Sequence, residues 1–332
     1  MSTVPSNLQG SRARLGDLSE EEVLRVILPL MTSPDSRVLV GPGDDAAVMS
    51  ARDGRFVTST DASMRDVDWR DDWSSGEDVG RKIVAQNLAD VAAMGAAPAG
   101  LLVTLLAGED TGLDWVRELA RGIGEASREA DCPVLGGDLG AAPTAVVVLS
   151  VTSFGDLQGR APVLRSGAQV GDVVAVAGTL GRSGAGLALL QSGRTDMSEE
   201  AVAQELVAVH RVPRPPLSAG PRAADAGAHA LIDISDGLIR DTGRIASASG
   251  VRIALSSEQL AMDIEVISPV WGREKALEMV LTGGEEHALL GVFPPDVALP
   301  SGFRKIGEVL SGEGVTVDGE RRQGGGWDHF AG

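Results

Sequence analysis

Cysteine is almost absent from this chain of 332 residues: Cys132 stands alone, so no internal disulfide can form. A reduced, cytoplasmic setting is the expectation. Histidine is nearly as scarce. His210, His229, His287 and His329 are too scattered for the paired spacing of a zinc site. Basic clusters are missing too. With 29 Lys and Arg against 47 Asp and Glu, the formal net charge is -18. Such a surface repels phosphate backbones, so no nucleic-acid partner is expected. Apolar runs such as 99–108 fall far short of the roughly 20 residues of a membrane span. The polar start, residues 1–10, lacks the charged-then-apolar layout of a signal peptide. No membrane is expected either.

Familiar catalytic signatures are also missing. There is no protein-kinase catalytic loop, no nucleophile elbow and no P-loop lysine. Phosphate charge would therefore be managed by metal ions and arginine, with Arg165 and Arg182 as candidates.

Glycine, by contrast, is plentiful: 43 residues, many clustered between apolar runs. That pattern suits an α/β protein with tight strand-to-helix turns. The length is about twice the ~150 residues of a usual domain, which predicts two domains. Residues 1–15 read as an arm, 16–155 as an α+β domain and 156–332 as an α/β domain. A helix starts at Ser19, whose capping box is completed by Glu22, and breaks near Pro34. Strands are expected at 38–40, 56–61, 101–106 and 145–154, with helices at 80–94 and 113–130. In the second domain a strand at 171–177 enters the glycine-rich turn 178–186 and a helix at 187–191. Polar residues 192–199 read as a loop and proline-rich 211–221 as an extended connector. Strands at 230–234, 251–255, 288–292 and 305–309 and a helix at 238–248 complete it.

Aspartates recur at strand ends, turns and helix faces beside small residues: Asp44 and Asp45, Asp61, Asp90, Asp138, and Asp233 with Asp236 around Ser235. Carboxylates brought together without basic neighbours need a positive charge to neutralise them. Mg²⁺ does so, held by one or two carboxylates together with waters and substrate phosphates. Each aspartate taken singly also reads as a cap or turn residue, Asp236 as the cap of the helix that opens at Gly237. Turn 178–186 has two readings as well: an amide cradle for phosphate at a helix N-terminus, or close packing.

In order and spacing, Gly43-Asp44-Asp45-Ala46-Ala47-Val48, Ser59-Thr60-Asp61, the helix from Gln86-Asn87 through Asp90 to Met94-Gly95-Ala96, Gly136-Gly137-Asp138, Arg165-Ser166-Gly167, Asp233-Ile234-Ser235-Asp236-Gly237-Leu238 and Thr282-Gly283-Gly284-Glu285 resemble thiamine-monophosphate kinases. The resemblance runs from about residue 15 to Gly326-Trp327-Asp328-His329-Phe330. The wider superfamily holds aminoimidazole ribonucleotide synthetase, selenophosphate synthetase and a hydrogenase maturation factor, and the helix around Asp90 with the Asp233 motif looks most like the thiamine-phosphate branch.

The resemblance implies a two-domain α/β (α+β) fold like that of aminoimidazole ribonucleotide synthetase. Its N-terminal strands would form a barrel at a homodimer interface. It implies transfer of the ATP γ-phosphate to thiamine monophosphate, giving thiamine diphosphate, with several Mg²⁺ ions and no general base. Asp44, Thr60, Asp61, Asp90, Asp138, Asp233 and Asp236 would be metal ligands, with Ser59 in the same set. Gly137, Asp138, Arg165 and Ser235 would contact ATP. Asp68, Glu285 and Trp327 would meet the substrate, Trp327 by stacking. The chain departs from the family at Asp68, where a histidine is usual, at Glu286-His287, where an acidic residue and tyrosine commonly stand, and at Leu139, where threonine often follows. Asp68 keeps open a different acceptor, and a metal- and nucleotide-binding dimer without catalysis is the third reading.

Overall fold

The computed structural model describes residues 13–32, 34–40, 48–50, 52–193, 201–322 and 324. Asp44, Asp45, Trp327, most of the N-terminal arm and most of the 192–199 loop lie outside the described residues. The chain divides into two compact units, residues 1–87 with 98–156, and residues 88–97 with 157–332.

The first unit begins with α1 (Glu20–Met31), where Ser19 and Glu22 close the expected capping box. A small antiparallel pair follows, β1 (Val38–Val40) with β2 (Val48–Met49). Then come β3 (Val57–Met64), α2 (Gly76–Ala93), β4 (Ala97–Gly108), α3 (Leu113–Glu129), β5 (Val134–Ala142) and β6 (Val147–Asp156). Helix α2 carries the chain from the first unit into the second. Along β6, Val147, Leu149, Val151 and Ser153 are buried and alternate with half-buried residues, the period-two pattern of a strand with one face on a core. Helices α2 and α3 approach at glycine. A Cβ on Gly122 would lie 2.1 Å from the Glu77 carbonyl oxygen, and one on Gly80 2.4 Å from that of Leu119.

The four strands of this unit form an open sheet in the order β3-β6-β4-β5, with β3/β6 antiparallel and β4/β5 parallel. The barrel expected of the N-terminal strands is therefore corrected: β3 and β5 are edges, and the curled, half-barrel sheet belongs to the second unit. Strand β5 itself was not anticipated. Its Val-Leu-Gly-Gly-Asp-Leu-Gly sequence reads locally as turn, yet β4 pairs with it along its length. Gly137 permits this, since a Cβ there would fall 1.8 Å from the Val103 carbonyl oxygen.

The second unit contains β7 (Val173–Ala177), α4 (Arg182–Gln191), α5 (Ala201–Arg211), α6 (Ala219–Asp225), β8 (Ala230–Ile234), α7 (Leu238–Ser249), β9 (Arg252–Leu255), α8 (Ala261–Trp271), α9 (Arg273–Thr282), β10 (Ala288–Phe293), β11 (Phe303–Leu310), β12 (Gly314–Val317) and β13 (Glu320–Arg322). Its sheet runs β13-β12-β9-β11-β7-β10-β8, antiparallel except for β12/β9. The central strands are apolar on both faces. Val174 and Val176 of β7 join one core cluster, Ala175 and Ala177 the other. Such strands read as continuous apolar runs and need cover on both sides. Proline-rich 211–221 is only partly a connector, because α6 begins within it.

Candidate functional site

In the first unit, β3 alternates so that Ser59 and Asp61 are half-buried while Thr60 is exposed. Thr60 Oγ1 donates to the Val151 carbonyl at 3.1 Å and accepts from Thr152 Oγ1 at 3.2 Å. Ser153 Oγ donates to the carbonyls of Asn87 at 3.2 Å and Ser59 at 3.4 Å, tying α2 to β3 beneath these residues. Gly137 and Asp138 are exposed in mid-β5. The strand order sets them three inter-strand spacings from Thr60-Asp61, roughly 14 Å. Among the described residues, no group of three or more His, Cys, Asp or Glu side chains is gathered to hold a metal.

Asp68 lies in the turn after β3. Its carboxylate accepts from the Met64 amide at 2.7 Å, while Asp66 takes a left-handed φ of 65°. Buried Trp69 next to it stacks on Trp115, with centroids 6.2 Å apart. The carboxylate is thus engaged in shaping its own turn.

The second unit gathers more of the expected residues. Asp233 is the last residue but one of β8, opposite Leu289 of β10, and is only 4% exposed. His287 Nδ1 stands 3.2 Å from its Oδ2. Asp233, Glu285 and Asp90 all bear electrostatically on this imidazole. Burial opposes its protonation, but the hydrogen bond and charge of Asp233, together with the charges of Glu285 and Asp90, outweigh that and raise its pKa above the usual value.

Asp236 does not cap α7: Gly237 is the N-cap, without a side-chain cap. The Asp236 carboxylate instead pairs with the Arg244 guanidinium, which also holds Asp241. Asp241 is fully buried and accepts from the Asp236 amide at 3.0 Å. Its burial pushes the carboxyl pKa up to about 7, against the pull of Arg244.

Residues 285–287 send three side chains in three directions. Glu285, at φ 61°, points one oxygen to within 3.6 Å of His210 Nδ1, which sits 3.2 Å from Ser183 Oγ. Glu286 is buried and accepts from Thr179 Oγ1 and from the amides of Arg182 at 2.8 Å and Ser183 at 3.4 Å. Burial raises its pKa, and these hydrogen bonds work against the rise. The amides at the start of α4 therefore hold an internal carboxylate. Close packing is the other role of that turn: a Cβ on Gly186 would come 2.1 Å from the Leu206 carbonyl oxygen. The helix opens at Arg182, inside the glycine run, and Arg182 pairs with Glu205 at 2.6 Å. Arg165 is exposed, its carbonyl accepting from Ser249 Oγ at 3.0 Å. Beside it a cavity of about 460 Å³ is lined by Arg160, Val163, Ser166, Gly167, Ala228 and His229 among others.

Arg244, Asp241, His210 and Ser183 carried no signal in the sequence. His287 had one, as a departure from the family pattern.

The chain matches the AIR synthase related protein N-terminal domain over residues 43–157 and the corresponding C-terminal domain over residues 169–321. It is 44% identical to the thiamine-monophosphate kinase of Mycobacterium tuberculosis over 99% of this chain and 97% of that protein. The Corynebacterium glutamicum enzyme is 38% identical, covering 92% and 91%. Among solved structures, the thiamine-monophosphate kinase of Stenotrophomonas maltophilia superposes with a TM-score of 0.78 at 30% identity, covering 91% of this chain and 96% of that one. "AaThiL complexed with AMPPCP and TMP" superposes at 0.75 with 31% identity, covering 96% and 99%. Two AIR synthase related domains in series define the class. Within it, the chain belongs to the thiamine-monophosphate kinase family.

Proposed function

We infer that the protein transfers the γ-phosphate of ATP to thiamine monophosphate. The observation that carries this is the near full-length similarity to thiamine-monophosphate kinases, including one solved with AMPPCP and TMP. Phosphoryl transfer asks a protein chiefly to position two anions and neutralise their charge. The acceptor phosphate is already largely ionised near neutral pH, with a second pKa of ~6, so no general base is required.

The candidate ligands fit Mg²⁺. Their donors are oxygens of Asp, Thr and Ser, and separate carboxylates suit an ion that completes its shell with phosphate oxygens. Asp44, Ser59, Thr60, Asp61, Asp90, Asp138, Asp233 and Asp236 would hold Mg²⁺, which when bound neutralises charge on the transferring phosphate. Gly137, Asp138, Arg165 and Ser235 would receive ATP. Asp68, Glu285 and Trp327 would receive thiamine monophosphate, with Asp68 acting through the turn it shapes. The working form is a homodimer, for which Phe56, just before β3, and Met64, its last residue, both 43% exposed, supply apolar surface. Among the described residues no helix is long and apolar enough to cross a membrane. The lone thiol of Cys132, buried and pushed up to about 12 by that burial, suits a reducing cytoplasm.

The test is to supply purified protein with ATP, Mg²⁺ and thiamine monophosphate and to assay thiamine diphosphate. Product is expected, and ATP consumption only with another acceptor would overturn the reading. Asp61→Asn and Asp236→Asn should each lower turnover by at least about 100-fold, on the scale of lost charge stabilisation in a transition state. Circular dichroism should remain that of the wild type. Near-normal turnover in both would remove these residues from the site.

A further inference from the structure

The loop of Gly284, Glu285 and His287 is fastened to the end of β8, just past Asp233, by several contacts. The Glu285 amide donates to the Ser235 carbonyl at 2.7 Å and the His287 amide to the Ile234 carbonyl at 3.0 Å. Gly284 passes so close that a Cβ would lie 2.3 Å from the Ser235 carbonyl oxygen. Both Glu285 and His287 are left-handed, at φ 61° and 56°. Non-glycine residues hold that conformation at a cost, and do so where the surroundings over-determine it. The result is that the imidazole is turned inward onto Asp233, with both side chains under 10% exposed.

A buried carboxylate keeps its charge only with a hydrogen-bonding partner. A carboxylate that serves as a metal ligand accepts hydrogen bonds only, so in that role Asp233 receives its bond from His287 Nδ1–H. Asp233 Oδ2 is thereby engaged by His287, whose N–H helps to set the orientation of the carboxylate.

We propose that His287 is a positioning residue which, through its Nδ1–H bond to Asp233, sets the affinity of the site for magnesium-bound nucleotide. This rests on the reading of Asp233 as a Mg²⁺ ligand. Residues that orient a ligating carboxylate typically govern metal affinity by roughly 10- to 100-fold.

Two amide substitutions separate position from mere polarity. Asn places its N–H near that of Nδ1, whereas Gln places it near Nε2. Calorimetry with Mg²⁺ and a non-hydrolysable ATP analogue should give His287→Asn an affinity within about threefold of wild type, and His287→Gln one weaker by roughly tenfold or more. The KM for thiamine monophosphate should stay within about threefold in both, a split that a general loss of structure would not produce. Equal affinity in His287→Gln and wild type overturns the proposal. So does equal weakening in the two variants, which would assign the effect to ring packing. Should His287→Gln fail to fold, ¹⁵N-histidine NMR of the wild-type protein decides. The Nδ1–H resonance of His287 should shift when Mg²⁺ and the analogue bind, and an unmoved resonance overturns the proposal. Wild-type protein that binds no magnesium nucleotide at all overturns the ligand reading itself, and this proposal with it.

Discussion

Arg37 shows how much one side chain can hold in the first unit. Its guanidinium grips Asp35 through Nε at 3.0 Å and Nη2 at 2.7 Å, and reaches the carbonyls of Pro98 and Asp131. The Arg37 hydrogen bonds hold the Asp35 carboxyl below its ordinary value, burial opposing them. A depressed carboxyl stabilises the fold fully above its unfolded pKa of about 3.9 and ceases to do so as pH falls through the folded value. Arg37→Ala should therefore cost roughly 1–3 kcal/mol at pH 7, and less below about pH 4, where Asp35 of the unfolded chain begins to protonate while that of the folded wild type stays ionised down to its lowered value. Urea melts of both proteins across that range check it, and a constant difference would assign the loss to packing. At this same scale the capping box of Ser19 and Glu22 was legible, because it is written in four consecutive residues. The Asp236–Arg244–Asp241 cluster was not. Helical spacing allows Arg244 to reach back to Asp241, but only the chain's path from β8 into α7 adds Asp236.

Elements were legible where periodicity was clear. Strands β3, β4, β6, β7, β8 and β10 and helices α2, α3 and α7 lie within a few residues of expectation. Missed were β2, β5, α5, α6, α8, α9, β12 and β13. Helix α8 is apolar through most of its length and contains Pro269, so it offers no stripe and carries a helix-breaking signal. Glycine-rich β5 exists because β4 is there to pair with it. The contact of α2 with α3 makes a prediction of unusual sign. Alanine is the better helix former by about 1 kcal/mol, so Gly122→Ala would normally stabilise. Here the new methyl meets the Glu77 carbonyl oxygen at 2.1 Å, and overpacking should cost roughly 1–3 kcal/mol. Thermal denaturation decides the sign, and a raised melting temperature would show that the helices can part freely.

Over the whole molecule the charge of -18 meets substrates that are themselves anions. Their approach is opposed by the long-range field even where the site welcomes them. Screening shortens that field to about 10 Å at 0.1 M salt. Association of a magnesium-bound fluorescent ATP analogue should accordingly speed up, by about two- to tenfold, as NaCl rises from roughly 10 to 150 mM. Stopped-flow mixing measures it, and a rate falling with salt would reveal a positive local field that dominates the global one.

Taken alone, the sequence determined the family, the two-domain class and the set of candidate aspartates, because these reside in short motifs whose spacing needs no folded context. It also excluded disulfide, zinc-histidine and P-loop chemistry by simple absence. Only the tertiary structure decided that the first unit's strands make an open sheet, that the α4 amides are taken by Glu286, and that His287 is turned onto Asp233. Each of these depends on partners brought close by strand pairing and by left-handed turns. No local pattern along the chain encodes that proximity.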